Sequence, residues 1–516
     1  MDGGDQNRRA PPRRAPPRWW ADPSHKETPW WDTRWSPPHR ATVLPAESTD
    51  AAAPAGEDVV KGLGASAPVF VAAVIVLVVL MVAAHVSNVP VLSRLLVPIV
   101  GLLGTMGFAS WLQRRHADEP WLARLLTLGV IAKLVGSVLR YLTLVNAAGQ
   151  VGDATVYDTY GKRFANGWLG QAGAVLPQLT DLKKSNFLRW FTGIVYYLFG
   201  RDLIAGYFVF GLIAFTGSYL WYRAAVLAVP HLDRKLFFIL ILFAPSIVFW
   251  PSSIGKEALM QFGLGGIALG TAHIMNGRPL QGTLVAVPGG WLVWVVRAHL
   301  MGLSVLAAAF GYVLGRKPPT THIKSSLARP VGVVLTTLFA TFAVTQGAKA
   351  LHIPSLSLSS VQTELDTTNA STSQGHSSFS NSNVSLSPLR LPQDAVTVLL
   401  RPFPWEVQTS NQILASLEGM ALVVFIVHRR RSVALSLRKL REQPFVFYCW
   451  TLTLLYVLLF QAFGNFGLLV RQRSIVLPAL YVILSLNARY DDVEPTPPAA
   501  DRTHAHVVLG TNPRWR

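Results

Sequence analysis

Cysteine is almost absent from this chain, since Cys449 is the only one among 516 residues. A single cysteine excludes a disulfide framework and any metal site built from several thiolates. Charge is also scarce, because only 14% of the residues are Asp, Glu, Lys or Arg. A soluble protein carries about 25%. The low charge therefore excludes an ordinary soluble enzyme.

Acidic residues are the scarcer charged type: 27 Asp and Glu stand against 46 Lys and Arg, for a net charge of +19. A basic balance of this size is compatible with nucleic-acid binding. The positive charge, however, lies mostly in the N-terminal tail and in short loops between apolar segments, where basic residues set membrane orientation. The sequence contains no groove-reading motif, so we expect no nucleic-acid partner.

Long apolar segments are abundant, and 51% of the residues are hydrophobic. Several segments reach about 18 to 22 residues, the length that crosses about 30 Å of hydrocarbon. The pattern predicts an all-α, polytopic transmembrane helix bundle of about 12 spans. The predicted spans are 68–87, 91–112, 121–146, 203–222, 235–251, 257–275, 280–296, 299–315, 330–349, 411–427, 444–461 and 474–487.

Two tails flank this transmembrane domain, which we predict over 66–488. Residues 1–65 are rich in Pro, Arg and Trp, and they predict a disordered basic tail. With this tail in the cytoplasm, the short basic loops also fall inside, as does the C-terminal tail 489–516. The longest loops, 147–202 and 350–410, are then extracytoplasmic. We therefore expect a multi-pass protein of the cytoplasmic membrane with both termini inside.

Ionic side chains recur on the predicted outer side, close to the edges of apolar segments. The stretch "PSIVFWPSSIGKEALMQF" has an adjacent Lys and Glu between two such segments. Charge at that depth costs about 2.5 to 3.5 kcal/mol per residue unless it is paired or reaches the headgroups. Each side chain could reach the headgroups alone, but as a set they indicate a binding site for a lipid-linked phosphate or pyrophosphate. The set is Lys256, Glu257, Arg297, His299, Arg401, Glu406, Arg471 and Arg473.

The first outer loop contains "GQVGDATVYDTYGKRFANGW", with carboxylates at Asp153 and Asp158. A carboxylate just beyond a span can act as a general base that takes a proton from an acceptor hydroxyl. We therefore predict Asp153 and Asp158 as catalytic candidates. The alternative is that Asp153 caps a helix beginning at Ala154.

Three further charges fall inside predicted spans: Lys133, Arg140 and Glu418. Such residues need partners within the bundle, and the sequence does not identify them. An aromatic segment at 186–200 is too short to span, and it predicts an interfacial helix with Trp190, Tyr196 and Tyr197 at headgroup depth.

The loop "GDATVYDTYGKRFANGW", followed by the aromatic amphipathic segment, resembles the first extracytoplasmic loop of GT-C type glycosyltransferases, such as the protein mannosyltransferase and aminoarabinose transferase families. The segment "PSIVFWPSSIGKEAL" is similar to a pattern in related bacterial polysaccharide-assembly membrane proteins. The resemblance implies a GT-C-like fold, a catalytic base at Asp153, and a donor site lined by Lys256 and Glu257. Three predicted spans precede the loop here, where that family usually has one.

These observations predict a membrane glycosyltransferase or glycan polymerase that takes a sugar from a polyprenyl-phosphate carrier in cell-envelope or exopolysaccharide assembly. Membrane lipid and lipid-linked sugar are the expected partners, together with envelope-assembly proteins. No cofactor is firmly implied, and the need for a divalent metal stays open because no His/Asp cluster has a ligand spacing. The alternatives are a non-catalytic transporter or flippase of a lipid-linked glycan and an envelope scaffold protein.

Overall fold

The computed structural model describes residues 90–116, 118–146, 152–171, 176–178, 181–315, 341, 345, 357–373, 377–379 and 387–488. The predicted tails 1–65 and 489–516 and the predicted span 68–87 lie outside the described residues. The predicted span 330–349 lies outside them except at two positions, and the predicted outer loops are described in part.

The described chain is all helical, as the sequence predicts, and these residues form no β-strand. Two very short 3₁₀ helices, Pro388–Arg390 and Pro404–Glu406, precede longer helices. The α-helices are α1 Pro90–Arg115, α2 Trp121–Asn146, α3 Asp153–Trp168, α4 Lys184–Phe199, α5 Leu203–Ala228, α6 Arg234–Phe243, α7 Pro245–Phe249, α8 Lys256–Met275, α9 Pro279–Leu314, α10 Leu358–Thr372, α11 Leu391–Leu400, α12 Ser410–His428, α13 Arg430–Arg438, α14 Pro444–Phe460 and α15 Phe466–Leu484.

Six of the described helices are long and apolar enough to cross a membrane, and a seventh candidate is the pair α12 and α13, bent by 63°. The surface of α2 shows that this helix is suited to contact with lipid. Leu128, Val135, Leu139 and Leu142 are each about half exposed, and their spacing places them on one helix face. An apolar stripe of this kind is stable against acyl chains and unfavourable in water. The protein is therefore a helical membrane protein.

Helix α9 joins two segments that the sequence predicts as separate spans, 280–296 and 299–315. A Cβ built on Gly282 would lie 2.5 Å from Ile274, and one on Gly311 would lie 2.9 Å from Met275 Cε. A straight helix would separate positions 282 and 311 by about 43 Å. Both ends of α9 thus lie beside the end of α8, and the helix doubles back at Arg297, where φ is −151° and ψ is 81°.

The predicted span 235–251 is also broken. Helix α6 ends at Phe243, the short α7 follows, and residues 250–255 are not helical. Pro245 cannot donate a backbone hydrogen bond, and it disfavours helical geometry at Ala244, whose ψ is 128°. The chain then enters α8 at Lys256.

Close packing of glycines fixes the position of α8. A Cβ at Gly265 would lie 2.5 Å from the carbonyl oxygen of Gly217 in α5, and one at Gly270 would lie 2.6 Å from that of Gly282 in α9. Only glycine permits backbones to approach this closely, a packing mode common between membrane helices. These contacts hold α8 closely against α5 and against the first half of α9.

Candidate functional site

A buried carboxylate, Glu257, lies at the start of α8 between two arginines. Its side chain is 2% exposed. The Arg471 guanidinium binds it in a bidentate way, with Nε 2.7 Å from Oε1 and Nη2 2.8 Å from Oε2. Arg297, at the reversal of α9, donates from Nη2 to Oε1 at 2.9 Å. Three residues that are far apart in the sequence thus form one charged cluster, as the set of edge charges predicts.

Asp153 joins this cluster from α3. Its Oδ2 lies 3.4 Å from Arg471 Nη1. The Asp153 side chain is 60% exposed, whereas that of Arg471 is 21% exposed. The N-cap of α3 is Gly152, and no side chain caps the helix. Asp153 is thus the first helical residue and not the cap. Its carboxylate faces both the arginine and the open side of the cluster.

Two lysines and one histidine lie near the four paired groups. Lys256 lies in electrostatic range of Arg297, Arg471 and Asp153. His299 is in range of Lys256 and of Lys184, the first residue of α4. Together with Asp153, the predicted residues Lys256, Glu257, Arg297, His299 and Arg471 therefore gather at one end of the bundle.

Arg140 of α2 also lies in this region. The sequence identifies it only as a charge within a predicted span. Its guanidinium lies 4.9 Å from the ring centroids of both Phe249 and Trp250. It is also in electrostatic range of Arg471 and Glu257, and its Nε makes no hydrogen bond. The aromatic pair at the break after α7 thus supports a cation that faces the cluster.

Two other residues beside the cluster, Gln472 and Tyr157, are not among the site residues that the sequence predicts. Arg297 donates a hydrogen bond from Nη1 to Gln472 Oε1. Tyr157 is buried one turn after Asp153, and its hydroxyl lies 3.4 Å from Ser185 Oγ of α4. Burial raises the pKa of Tyr157, and the charge of Asp153 acts in the same direction. Tyr157 therefore stays a neutral hydrogen-bonding group that ties α3 to α4.

Asp158, the second predicted catalytic carboxylate, faces away from Asp153. Five residues turn a helix by about 500°, which leaves the two side chains about 140° apart. Asp158 accepts a hydrogen bond from Tyr196 Oη at 2.5 Å and another from Lys162 Nζ at 2.8 Å. Tyr196 is fully buried, so its hydroxyl contacts protein and not lipid headgroups. Asp158 instead fastens α3 to α4.

Arg401 and Glu406 pair with each other in the turn before α12. Arg401 Nε donates to Glu406 Oε2 at 3.0 Å, and Glu406 also accepts from the backbone of Phe403 at 2.9 Å. The Arg401 guanidinium lies over the rings of Phe379 and Phe466, at 4.2 and 5.3 Å. The contacts of this predicted pair are thus with its own turn and with two aromatic rings.

Arg473 faces the interior of the bundle, although the sequence predicts it as part of the phosphate-binding set. It is fully buried, with Nη2 2.9 Å from Glu418 Oε2, and it donates to the carbonyl of Leu399 at 2.9 Å. Glu418 in turn accepts from the backbone of Ser246 at 2.9 Å. Two residues turn a helix by about 200°, so Arg473 and Arg471 point to opposite sides of α15.

Lys133, the last of the intramembrane charges, is fully buried in α2. Its ammonium donates to the backbone carbonyl of Ile247 in the short helix α7. This contact supplies a donor to a carbonyl beside the helix break.

A cavity of about 410 Å³ lies between α1, α4, α5, α8 and α9. Its walls are almost entirely apolar, and they include Val97, Phe191, Leu212, Leu259 and Leu292. Leu259 lies one helical turn after Lys256, and Leu292 lies five residues before Arg297. Along the helix axes, these two lining residues thus lie about 5 Å from Lys256 and about 8 Å from Arg297.

No group of three or more His, Cys, Asp or Glu side chains suited to a metal occurs in the part of the chain that the structure describes. Comparisons with protein-family models, with curated proteins and with solved structures find no match to this chain. The geometry defines a helical membrane protein with a cationic cluster, one exposed carboxylate and an adjoining apolar chamber.

Proposed function

We propose that the protein is a membrane glycosyltransferase that moves a sugar from a polyprenyl-phosphate carrier to an extracytoplasmic acceptor in cell-envelope or exopolysaccharide assembly. One observation carries the proposal: the exposed carboxylate of Asp153 lies 3.4 Å from Arg471, beside a group of cations anchored by buried Glu257. This arrangement supplies a base and an anion-binding surface within one cluster.

In the proposed reaction, Asp153 accepts the proton of an acceptor hydroxyl as the hydroxyl oxygen attacks the anomeric carbon of the sugar. The bond between that carbon and the phosphate oxygen breaks, and the electron pair leaves with the lipid phosphate. Lys256, Arg297 and Arg471 stabilise the negative charge that develops on the phosphate. Glu257 holds both guanidiniums in place because it is buried and bonded to each.

The lipid part of the donor suits the apolar chamber. A chain in that chamber is removed from water, and each buried methylene contributes about 0.8 kcal/mol. The chamber extends to Leu259 and Leu292, close to the cations, so a lipid seated there would present its phosphate to them. This continuity supports a lipid-linked donor over a soluble sugar nucleotide.

The proposal includes a GT-C-like architecture of about 12 spans in the cytoplasmic membrane, with both termini in the cytoplasm. The distribution of basic residues supports this orientation. The clustered residues lie at the N-terminal end of α8. Three other arginines lie on the opposite side of the bundle: Arg223 near the end of α5, Arg234 at the start of α6 and Arg278 just before α9. With those arginines inside, Asp153 faces the extracytoplasmic side.

The test is sugar transfer by purified protein in detergent or nanodiscs from a polyprenyl-phosphate sugar, wild type against Asp153→Asn. We expect the variant to lose about 100-fold or more in rate, the usual effect of removing a general base. Asp181→Asn is the matched control, because Asp181 is exposed and lies in the same part of the chain. Equal turnover by wild type and Asp153→Asn would remove Asp153 from the reaction.

A lipid-linked glycan transporter is the second candidate, and the broken segment α6–α7 favours it. Interrupted helices with polar backbone inside the membrane occur at transporter sites, and here Lys133 binds a carbonyl beside the break. Movement of a labelled lipid-linked sugar across vesicles, without sugar transfer, would establish this function in place of the first.

A further inference from the structure

A second basic region lies at the other end of α15 from the charged cluster. The stretch 428–443, which includes α13, contains six Arg and Lys residues and one Glu. Within it, Arg429 donates from Nε to the carbonyl of Leu484 at 2.9 Å and from Nη2 to that of Leu486 at 3.0 Å. Leu484 follows Arg471 by 13 residues, or about 20 Å along the axis of α15. The basic stretch is therefore separate from the proposed donor site.

One face of α13 is fastened to the bundle. Ser432 donates from Oγ to the carbonyl of Leu486 at 2.6 Å, and Ser436 accepts a hydrogen bond from Trp450 Nε1 of α14 at 2.9 Å. Both serines and Leu435, which lies between them in the sequence, are buried. These contacts fix the rotation of α13 about its axis, and they also fix the direction of its other face.

The face of α13 that points away from these contacts carries three arginines. At about 100° per residue, Arg430, Arg438 and Arg431 lie within an arc of about 100°, with Ala434 between them. All four residues are exposed. Among the residues that the structure describes, no carboxylate forms an ion pair with any of the three arginines. This arginine face is therefore a patch of positive charge without an internal counterion.

The arginine face adjoins an apolar, exposed stripe on α12. Ile413, Leu417, Val424 and Val427 are each more than half exposed, and their spacing places them on one side of the helix. Arg430 lies at the end of this stripe, because its Nη1 donates to the carbonyl of Val427 at 3.4 Å. The chain then bends by 63° into α13. The arginines thus begin where the surface suited to acyl chains ends, which is the depth of lipid headgroups.

We propose that the arginine face of α13 binds the headgroups of anionic phospholipids in the adjoining membrane leaflet. Guanidinium groups bind phosphate oxygens in a bidentate way, and basic segments directly beside a span are attracted to anionic lipid surfaces. The contact of Arg430 with the last residue of the apolar stripe favours lipid over a soluble acidic partner. This binding is independent of the proposed sugar transfer.

The experiment measures how brominated lipids quench a fluorophore on α13 of the full-length protein in nanodiscs. Ala434→Cys places the label within the arginine face, and the native Cys449 is buried and stays unlabelled. Brominated phosphatidylglycerol and brominated phosphatidylcholine are compared at equal fractions. We expect the label to report an affinity at least about fivefold higher for phosphatidylglycerol, the effect of one arginine at an anionic surface.

Two charge variants of the labelled protein locate the effect. The triple variant Arg430→Gln, Arg431→Gln, Arg438→Gln should lose the preference and keep its quenching by phosphatidylcholine, because Arg429 and the two serines still fasten α13. The matched control removes the same charge at exposed arginines elsewhere on that side of the bundle, and it should keep the preference. Its positions are Arg115, Arg223 and Arg278.

Three results would overturn the proposal. Equal quenching by the two lipids in the labelled protein with all its arginines does so, whether or not the triple variant folds. A preference that persists in the triple variant would assign the anionic lipid to another surface. Quenching by neither lipid would show that the arginine face points into water, where a soluble acidic partner is the fitting ligand.

Discussion

Replacement of Arg473 by Met tests whether this arginine supports the bundle or binds substrate. Arg473 is 0% exposed and its partner Glu418 is 7% exposed. The change leaves a buried carboxylate without its cation, and breaking a buried ion pair in this way costs about 3 to 5 kcal/mol. Ser246 still donates to Glu418, so we expect a loss at the lower end, about 3 kcal/mol.

The assay is thermal or denaturant unfolding of the purified protein in detergent, with the double variant Arg473→Met, Glu418→Gln beside the single one. The neutral amide removes the uncompensated charge, so the double variant should recover about half of the lost stability. Binding of farnesyl phosphate at a permissive temperature should equal that of wild type in both. Unchanged stability together with lost lipid binding would show that Arg473 belongs to the binding site and would refute this reasoning.

Two further predictions concern packing. Tyr196→Phe removes the hydrogen bond to Asp158 and should lower the free energy of unfolding by about 1 to 3 kcal/mol. The control Tyr197→Phe, at an exposed position, should change it little. Equal melting midpoints for the two variants would contradict the role of the Tyr196 hydrogen bond. Gly265→Val places a side chain against the Gly217 carbonyl, whose oxygen lies 2.5 Å from the new Cβ. We therefore expect the variant to lose its monodisperse peak in size-exclusion chromatography. An unaltered peak would show that α5 and α8 are free to separate.

Part of the site follows from the sequence because of where charge lies relative to the apolar segments. Lys256, Glu257, Arg297 and Arg471 each occur near the end of an apolar segment on the same predicted side. Side chains at matching depth in a bundle are within reach of one another, so the meeting of Arg297 and Arg471 at Glu257 follows from depth and from the cost of unpaired charge.

Depth alone does not distinguish residues that face different sides of one helix. Arg473 and Asp158 have depths similar to Arg471 and Asp153, yet each points to a different helix from its neighbour. The angular position of a side chain depends on where its helix contacts others, and no single-sequence pattern specifies that. Arg401 likewise meets Phe379 and Phe466, which are distant in the chain.

The sequence by itself determines that this is a helical membrane protein and that its ionic residues collect at the borders of apolar segments, because hydrocarbon admits only apolar stretches whose backbone is internally bonded. Only the tertiary structure decides which of those residues meet. Rotation about the helix axes, the reversal at Arg297 and the glycine contacts of α8 select Asp153 and Glu257 for the cluster, and they turn Asp158 and Arg473 into supports of the bundle.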